Sequence, residues 1–295
     1  MTFYLNKIKF IFLFILLIAF VSPILYIFLN IFSENTDTWL HIKEYLLDDY
    51  IFNSLVIVFF VGIITVILGS SLAWIVSMYE FPGSTIFKWL LILPLAVPTY
   101  VNAYIYAGLN ETSGFLFNFF EYYFNLGSVV YDSYDIRNIS GAIFIMSISL
   151  YPYVYLLCLP ALSNHSYNVF EVGQSLGLSR FERLTRIGLP IIRPALIAGA
   201  SLVVMETLAE YATVQYFGVP TFATGIFRSW FVLGDENSSF HLSSLLLTLI
   251  FLLVYFEQMS RGSRKFHNPT NNVNPMKREV LINKSMLLAV LYCFL

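Results

Sequence analysis

Residues 55–78 read LVIVFFVGIITVILGSSLAWIVSM, without one charged side chain. As a helix rising 1.5 Å per residue, this stretch reaches about 36 Å, enough for a hydrocarbon core of roughly 30 Å. Its leucines, isoleucines and phenylalanines run on without alternation, which favours a spanning helix over a barrel strand. Five further runs share this character: Phe10–Phe32, Ile86–Leu109, Ser140–Leu162, Ile191–Val214 and Phe240–Met259. Hydrophobic residues make up 58% of the 295 and charged residues 12%, against about 45–50% and 25% in soluble domains. The expected fold is therefore an all-α polytopic transmembrane helix bundle, with six helices in residues 1–260. The first run follows Lys7 and Lys9 but exceeds the roughly 7–15 residues of a signal-peptide core, so it is read as an uncleaved span. Pro23, Pro94, Pro98, Pro152 and Pro194 fall inside runs, which bundled membrane helices tolerate. Gly62, Gly69, Ser70, Ser71, Gly199, Ala200 and Ser201 are small enough to let helices approach closely.

Basic residues orient the chain. With the N-terminus inside, thirteen of the 16 lie in inside segments, and only Lys43, Arg137 and Arg228 lie outside. That places 164–190 in the cytoplasm and 215–239 on the external face. After the sixth span, 261–284 reads as a polar cytoplasmic linker. The apolar run that follows, 285–295, is too short to cross a bilayer and reads as the truncated start of a second permease half.

The cytoplasmic segment 164–190 is NHSYNVFEVGQSLGLSRFERLTRIGLP. Tyr167–Leu176 has the apolar positions of a short helix, and Gly177 can take the positive φ that ends one. Ser179 with Glu182 three residues on is a capping-box pattern. A short helix on a rigid mount suits docking into a groove of a soluble partner. The segment resembles the coupling ("EAA") loop of ABC importer permeases, E-A-A-x3-G-x9-I-x-L-P. Glu171, Gly177, Ile187, Leu189 and Pro190 fit that spacing without a gap, while Val172 and Gly173 replace the alanines. Further matches are METLAEYATVQYFG from Met205, TGIFRSW from Thr224, YEFPG from Tyr79, LPLAVPTYVNAYIY from Leu93 and LYPYVYLL from Leu150. Together they resemble ferric-iron import permeases over nearly the whole chain.

That resemblance implies the type I importer permease (MetI-like) fold in a bacterial inner membrane, in a family whose permeases are usually two fused halves. It implies partners as well: ABC ATPase subunits that meet the loop, a periplasmic substrate-binding protein that delivers Fe³⁺, and a second permease half or subunit. ATP hydrolysis is expected on a separate chain, since no GxxxxGK[ST] phosphate loop occurs here. An importer for thiamine, a polyamine or an anion is the nearer alternative, and a gradient-driven carrier or channel the more distant one.

Glu206 and Glu210 are carboxylates inside the expected span Ile191–Val214. Four residues apart, they would share one helix face, turned to the bundle interior near the external mouth, and line the translocation path. Tyr122, Tyr123, Tyr131, Asp132, Tyr134 and Asp135 offer hard oxygen ligands in loop 110–138, but tyrosines gather at membrane interfaces in any case. Cys158 and Cys293 read as buried hydrophobes. No catalytic constellation, metal-ligand cluster or cofactor is expected in this chain, and nothing points to a nucleic-acid partner.

Overall fold

The run at 55–78 grows into a helix of 32 residues, α3 (Leu47–Met78), on which the other elements are arranged. The computed structural model describes residues 2–109, 114–124, 136–163, 172–261, 278–281 and 284–294. α1 (Thr2–Leu29) and α2 (Asp37–Tyr45) precede α3. After it come β1 (Tyr79–Glu80), α4 (Ser84–Leu90), α5 (Thr99–Leu109), α6 (Phe115–Phe124), α7 (Ile139–Ser163), α8 (Arg180–Ala209), α9 (Ala212–Tyr216), α10 (Phe222–Phe227), α11 (Glu236–Arg261), β2 (Glu279–Val280) and α12 (Lys284–Phe294). Among the described residues α1, α3, α7, α8 and α11 are each long and apolar enough to cross a bilayer.

The core forms where α3, α7 and α8 meet. Val154 of α7 is fully buried there. A Cβ on Gly69 of α3 would lie 2.7 Å from Val154 Cβ, and one on Gly199 of α8 would lie 2.8 Å from Val154 Cα. Both glycines thus act as the small-residue pattern anticipates, letting three backbones close on one side chain. Gly62 only reaches ordinary contact with Val204, at 4.0 Å. The hydroxyls of Ser70 and Ser71 bond carbonyls of their own helix, Val66 and Ile67.

The third run departs from its expected form. Instead of one helix over Ile86–Leu109, Ser84–Ala96 and Thr99–Leu109 meet at 93°. Pro94 and Pro98 supply no N–H to the preceding turns, and the residue before a proline is pushed toward extended backbone, as Val97 is. Carbonyls freed by the bend find partners on α7. The Tyr151 hydroxyl donates to Leu91 O at 2.9 Å, and the Tyr155 hydroxyl donates to Lys88 O at 3.0 Å. The LYPYVY run therefore clamps a broken span. Asn102 of α5 adds a bond from Nδ2 to Ser149 Oγ at 2.9 Å.

Most of the expected linker lies outside the described residues. Its end, β2, pairs in parallel with β1, and the Leu281 N–H donates to Glu80 O at 3.0 Å. The apolar run beyond becomes α12, seated on α3 through Tyr292 Oη, 2.6 Å from Ser71 Oγ. The Phe294 ring meets Phe87 edge-on at 5.1 Å. α1 joins the bundle through α11, where Tyr26 packs edge-on against Phe240 and the Ser244 hydroxyl donates to Ile27 O.

Candidate functional site at the two ends of α8

At its Arg180 end, α8 grows out of the loop that carries the spaced motif. Glu171 and the preceding loop residues lie outside the described residues. Residues 172–175 are helical, and Gly177 takes φ of 80°. The Leu178 N–H donates to Gly173 O at 3.0 Å and the Gly177 N–H donates to Gln174 O at 2.9 Å. This pair of bonds is a Schellman cap, which satisfies the last carbonyls of a short helix and reverses the chain. Ser179 then opens α8 with the capping box its sequence announces: its hydroxyl accepts from the Glu182 N–H while the Glu182 carboxylate accepts from the Ser179 N–H at 3.0 Å.

Gly173, which stands where the motif has alanine, has a packing role. A Cβ there would lie 2.7 Å from Ile187 Cδ1, so glycine lets this motif isoleucine rest on the short helix. The same end is tied to β1, directly after α3, and to α3 itself. The Arg180 guanidinium lies over the Tyr79 ring at 5.7 Å, and a Cβ on Gly188 would lie 2.4 Å from Trp74 Cζ3. Pro190 does not interrupt the helix. Leu184–Gly188 widens to a π turn, in which the Leu189 N–H donates to Leu184 O. The wider turn absorbs the missing proline donor, and α8 continues unbroken. Val172, Leu176 and Phe181 are left exposed around this end.

At its other end α8 stops earlier than expected. The run Ile191–Val214 was expected to hold Glu206 and Glu210 on one face of one helix. The helix ends at Ala209, and Glu210 has extended backbone with ψ of 114°. No proline or glycine causes this. The Glu210 carboxylate accepts from the Thr213 N–H at 2.8 Å, so it caps the next helix, α9, and competes with helical continuation. Glu206 remains in α8, seven residues from Gly199 and so on a similar side of the helix. It is exposed and within electrostatic reach of Tyr153 of α7. The two carboxylates therefore neighbour each other across a helix terminus rather than sharing a helix face. Thr207 and Thr213, on either side of the break, are buried with hydroxyls that have no hydrogen-bond partner among the described residues.

Beyond the break the chain folds back onto the start of α3. Asn53 Nδ2 donates to Pro220 O at 2.9 Å, and the Phe222 N–H donates to Ser54 Oγ at 3.2 Å. α10 opens with a Thr221–Thr224 capping box and runs into a π turn at Arg228–Val232. Asp235 then caps α11 by accepting from the Ser238 N–H at 3.1 Å. Burial pushes the Asp235 carboxyl up, but hydrogen bonds from Thr36, Ser238 and Thr38 outweigh it and hold the group below the usual carboxylate range. No group of three or more His, Cys, Asp and Glu positioned for a metal ion occurs among the described residues.

The family profile described as the binding-protein-dependent transport system inner membrane component matches residues 65–257, from mid-α3 through the loop and the break into α11. The chain belongs to this family. This inner membrane component is a multi-pass membrane protein with the fold of ABC importer permeases. It is 24% identical over 221 residues to the Fe(3+)-transport system permease protein FbpB 2 of Haemophilus influenzae, covering 75% of this chain and 39% of that protein. It is 31% identical over 166 residues to the sulfate transport system permease protein CysT of Salmonella typhimurium, covering 55% and 56%. The chain thus spans about two fifths to just over half of these curated relatives. A bacterial ABC transporter involved in import of the acidic polysaccharide alginate has a chain that superposes with a TM-score of 0.67 at 16% identity, covering 88% of this chain and 97% of that one. At that identity the likeness speaks for the fold alone.

No spacing in the sequence of the inner membrane component announces the tyrosine clamp of Tyr151 and Tyr155. TGIFRSW drew notice as a familiar run, but no spacing rule assigns it a partner on α3.

Proposed function

We propose that this chain is the translocating subunit of an ATP-driven importer whose N-terminus is cytoplasmic. Residues 172–190 dock into an ABC ATPase subunit, and the Glu210 end receives cargo from a periplasmic binding protein. A second permease half or subunit completes the path. The carrying observation is the Arg180 end of α8: a capped short helix leaves Val172, Leu176 and Phe181 exposed on a mount tied to α3 and continuous with a 30-residue helix. Apolar side chains held on a rigid helix fit a groove on a soluble partner, and an unbroken rod carries the partner's movement into the bundle. Glu171 joins this docking surface through the motif.

Ferric iron is the proposed cargo. The similarity to the Fe(3+) permease extends over 75% of the chain, and Glu206 with Glu210 supplies hard anionic oxygen beside a broken helix. A sulfate importer is the second reading, favoured by the higher identity to the sulfate permease over a shorter stretch. The test is uptake into proteoliposomes holding the full transporter with its ATPase and binding protein. ATP-dependent accumulation of Fe³⁺ supports the first reading, and ATP-dependent accumulation of sulfate replaces it with the second. Uptake driven by an ion gradient without ATP overturns both.

A further inference from the structure

Near the Glu210 end lies a cavity of about 330 Å³ bordered by Tyr50, Tyr211, Gln215, Thr224, Phe227 and Arg228, among others. Its construction starts with a glycine. A Cβ on Gly225 would lie 2.6 Å from Tyr50 Cε2 and 3.0 Å from Cζ, so only glycine lets the Tyr50 ring lie flat against α10. Tyr50 is 3% exposed, and it borders the cavity. Its hydroxyl takes part in no hydrogen bond among the described residues.

Arg228 follows Gly225 by three residues, about one turn on, where the helix widens into its π turn. It borders the same cavity and acts electrostatically on Tyr50. Arg228 makes no ion pair or hydrogen bond among the described residues. The nearby carboxylates have other partners: Glu210 accepts from the Thr213 N–H, and Asp235 is bonded to Thr36 and Ser238. Asp49 also acts on Tyr50 but forms no ion pair with Arg228 among the described residues. Tyr211 and Phe227, stacked at 4.0 Å, wall the cavity with aromatic surface.

We propose that the Tyr50–Arg228 cavity is an oxyanion-binding site. A guanidinium offers a planar fork of donors matched to a carboxylate, sulfate or phosphate, and a phenolic hydroxyl adds a neutral donor. Glycine at 225 seats the ring that carries this second donor at the edge of the cavity. The oxyanion is either a free small anion or the carboxylate of an acidic side chain on a protein docking at this end. The free-anion case stands whether or not the cargo is iron.

The experiment uses the full transporter in lipid nanodiscs and titrates it calorimetrically with sulfate, inorganic phosphate and citrate. A second titration uses its binding protein. Arg228→Gln is compared with Tyr50→Phe and with Lys43→Gln, a control for loss of a positive charge elsewhere in the chain. A charge-assisted hydrogen bond is worth about 10- to 100-fold in affinity, and a neutral one several-fold. Saturable anion binding weakened in that order by R228Q and Y50F, and untouched by K43Q, assigns the site to a free anion. Absence of free-anion binding, with binding-protein affinity lowered by R228Q and competed by sulfate, assigns it to an acidic side chain. Equal behaviour of R228Q and K43Q in both titrations overturns the proposal.

Discussion

The two ends of α8 invert what their residues suggest. Pro190 lies near one end, with Pro194 a turn later, and the helix runs through both. Around Glu210 there is neither proline nor glycine, and there the helix stops. Continuity is decided by what each end packs against and by which hydrogen bonds compete with the helical ladder. At the proline end, Gly188 presses on Trp74, Arg180 lies over Tyr79, and a π turn takes up the missing donor. At the other end a carboxylate has a better bond to make, to the Thr213 N–H, and the following chain is pinned to Asn53 and Ser54. One end continues through two prolines, and the other stops where Glu210 bonds the Thr213 N–H.

The largest expected effect breaks the continuous end at its loop. Gly177→Pro cannot hold a φ of 80° and removes the N–H that bonds Gln174 O. A proline mismatch of this kind costs roughly 3 kcal/mol. ATPase subunits should no longer co-purify, or ATPase activity should cease to respond to loaded binding protein. Normal stimulation in this variant removes the coupling role from the loop.

Gly188→Ala tests the tie to α3. Its methyl would overlap the Trp74 ring, and overpacking of this order costs about 1–3 kcal/mol. Thermal unfolding in detergent should fall accordingly, and Trp74→Leu in the same chain should restore part of the loss. If the single change leaves the melting temperature unaltered, the continuous end is not anchored there.

At the Glu210 end, Glu206→Gln with Glu210→Gln keeps an acceptor for the Thr213 N–H while removing both charges. Uptake should fall several-fold with insertion and ATPase docking unchanged. Unaltered uptake would take both carboxylates off the path.

The smallest effect belongs to Asp235, which holds the start of α11. Asp235→Ala removes a helix cap worth about 1 kcal/mol. Because the folded carboxyl is depressed, its contribution is present above the unfolded value near pH 4 and is lost as pH falls through the lower folded value. The difference in unfolding between D235A and the parent should therefore shrink below about pH 4. A gap that stays constant down to lower pH would mean that the charged form is not what stabilises the cap.

Composition and run length by themselves determined that this chain is a bundle of membrane helices, because about 20 apolar residues in succession have few other stable settings. The loop was legible for a similar reason: a Schellman glycine and a capping box are local devices, written in Gly177, Ser179 and Glu182 within a few residues of one another. Tertiary structure alone decided which proline bends a span. Pro94 and Pro98 do so where Tyr151 and Tyr155 of α7 take up the freed carbonyls, and Pro190 does not. It also decided that Glu206 and Glu210 part company at a helix end, and that Gly225 seats Tyr50 beside Arg228. Tyr50 and Arg228 are nearly 180 residues apart in sequence, and no periodicity connects them. Spacing encodes hydrogen bonds within a turn, whereas the fate of a freed carbonyl and the surroundings of a guanidinium depend on which distant helix the fold places beside it.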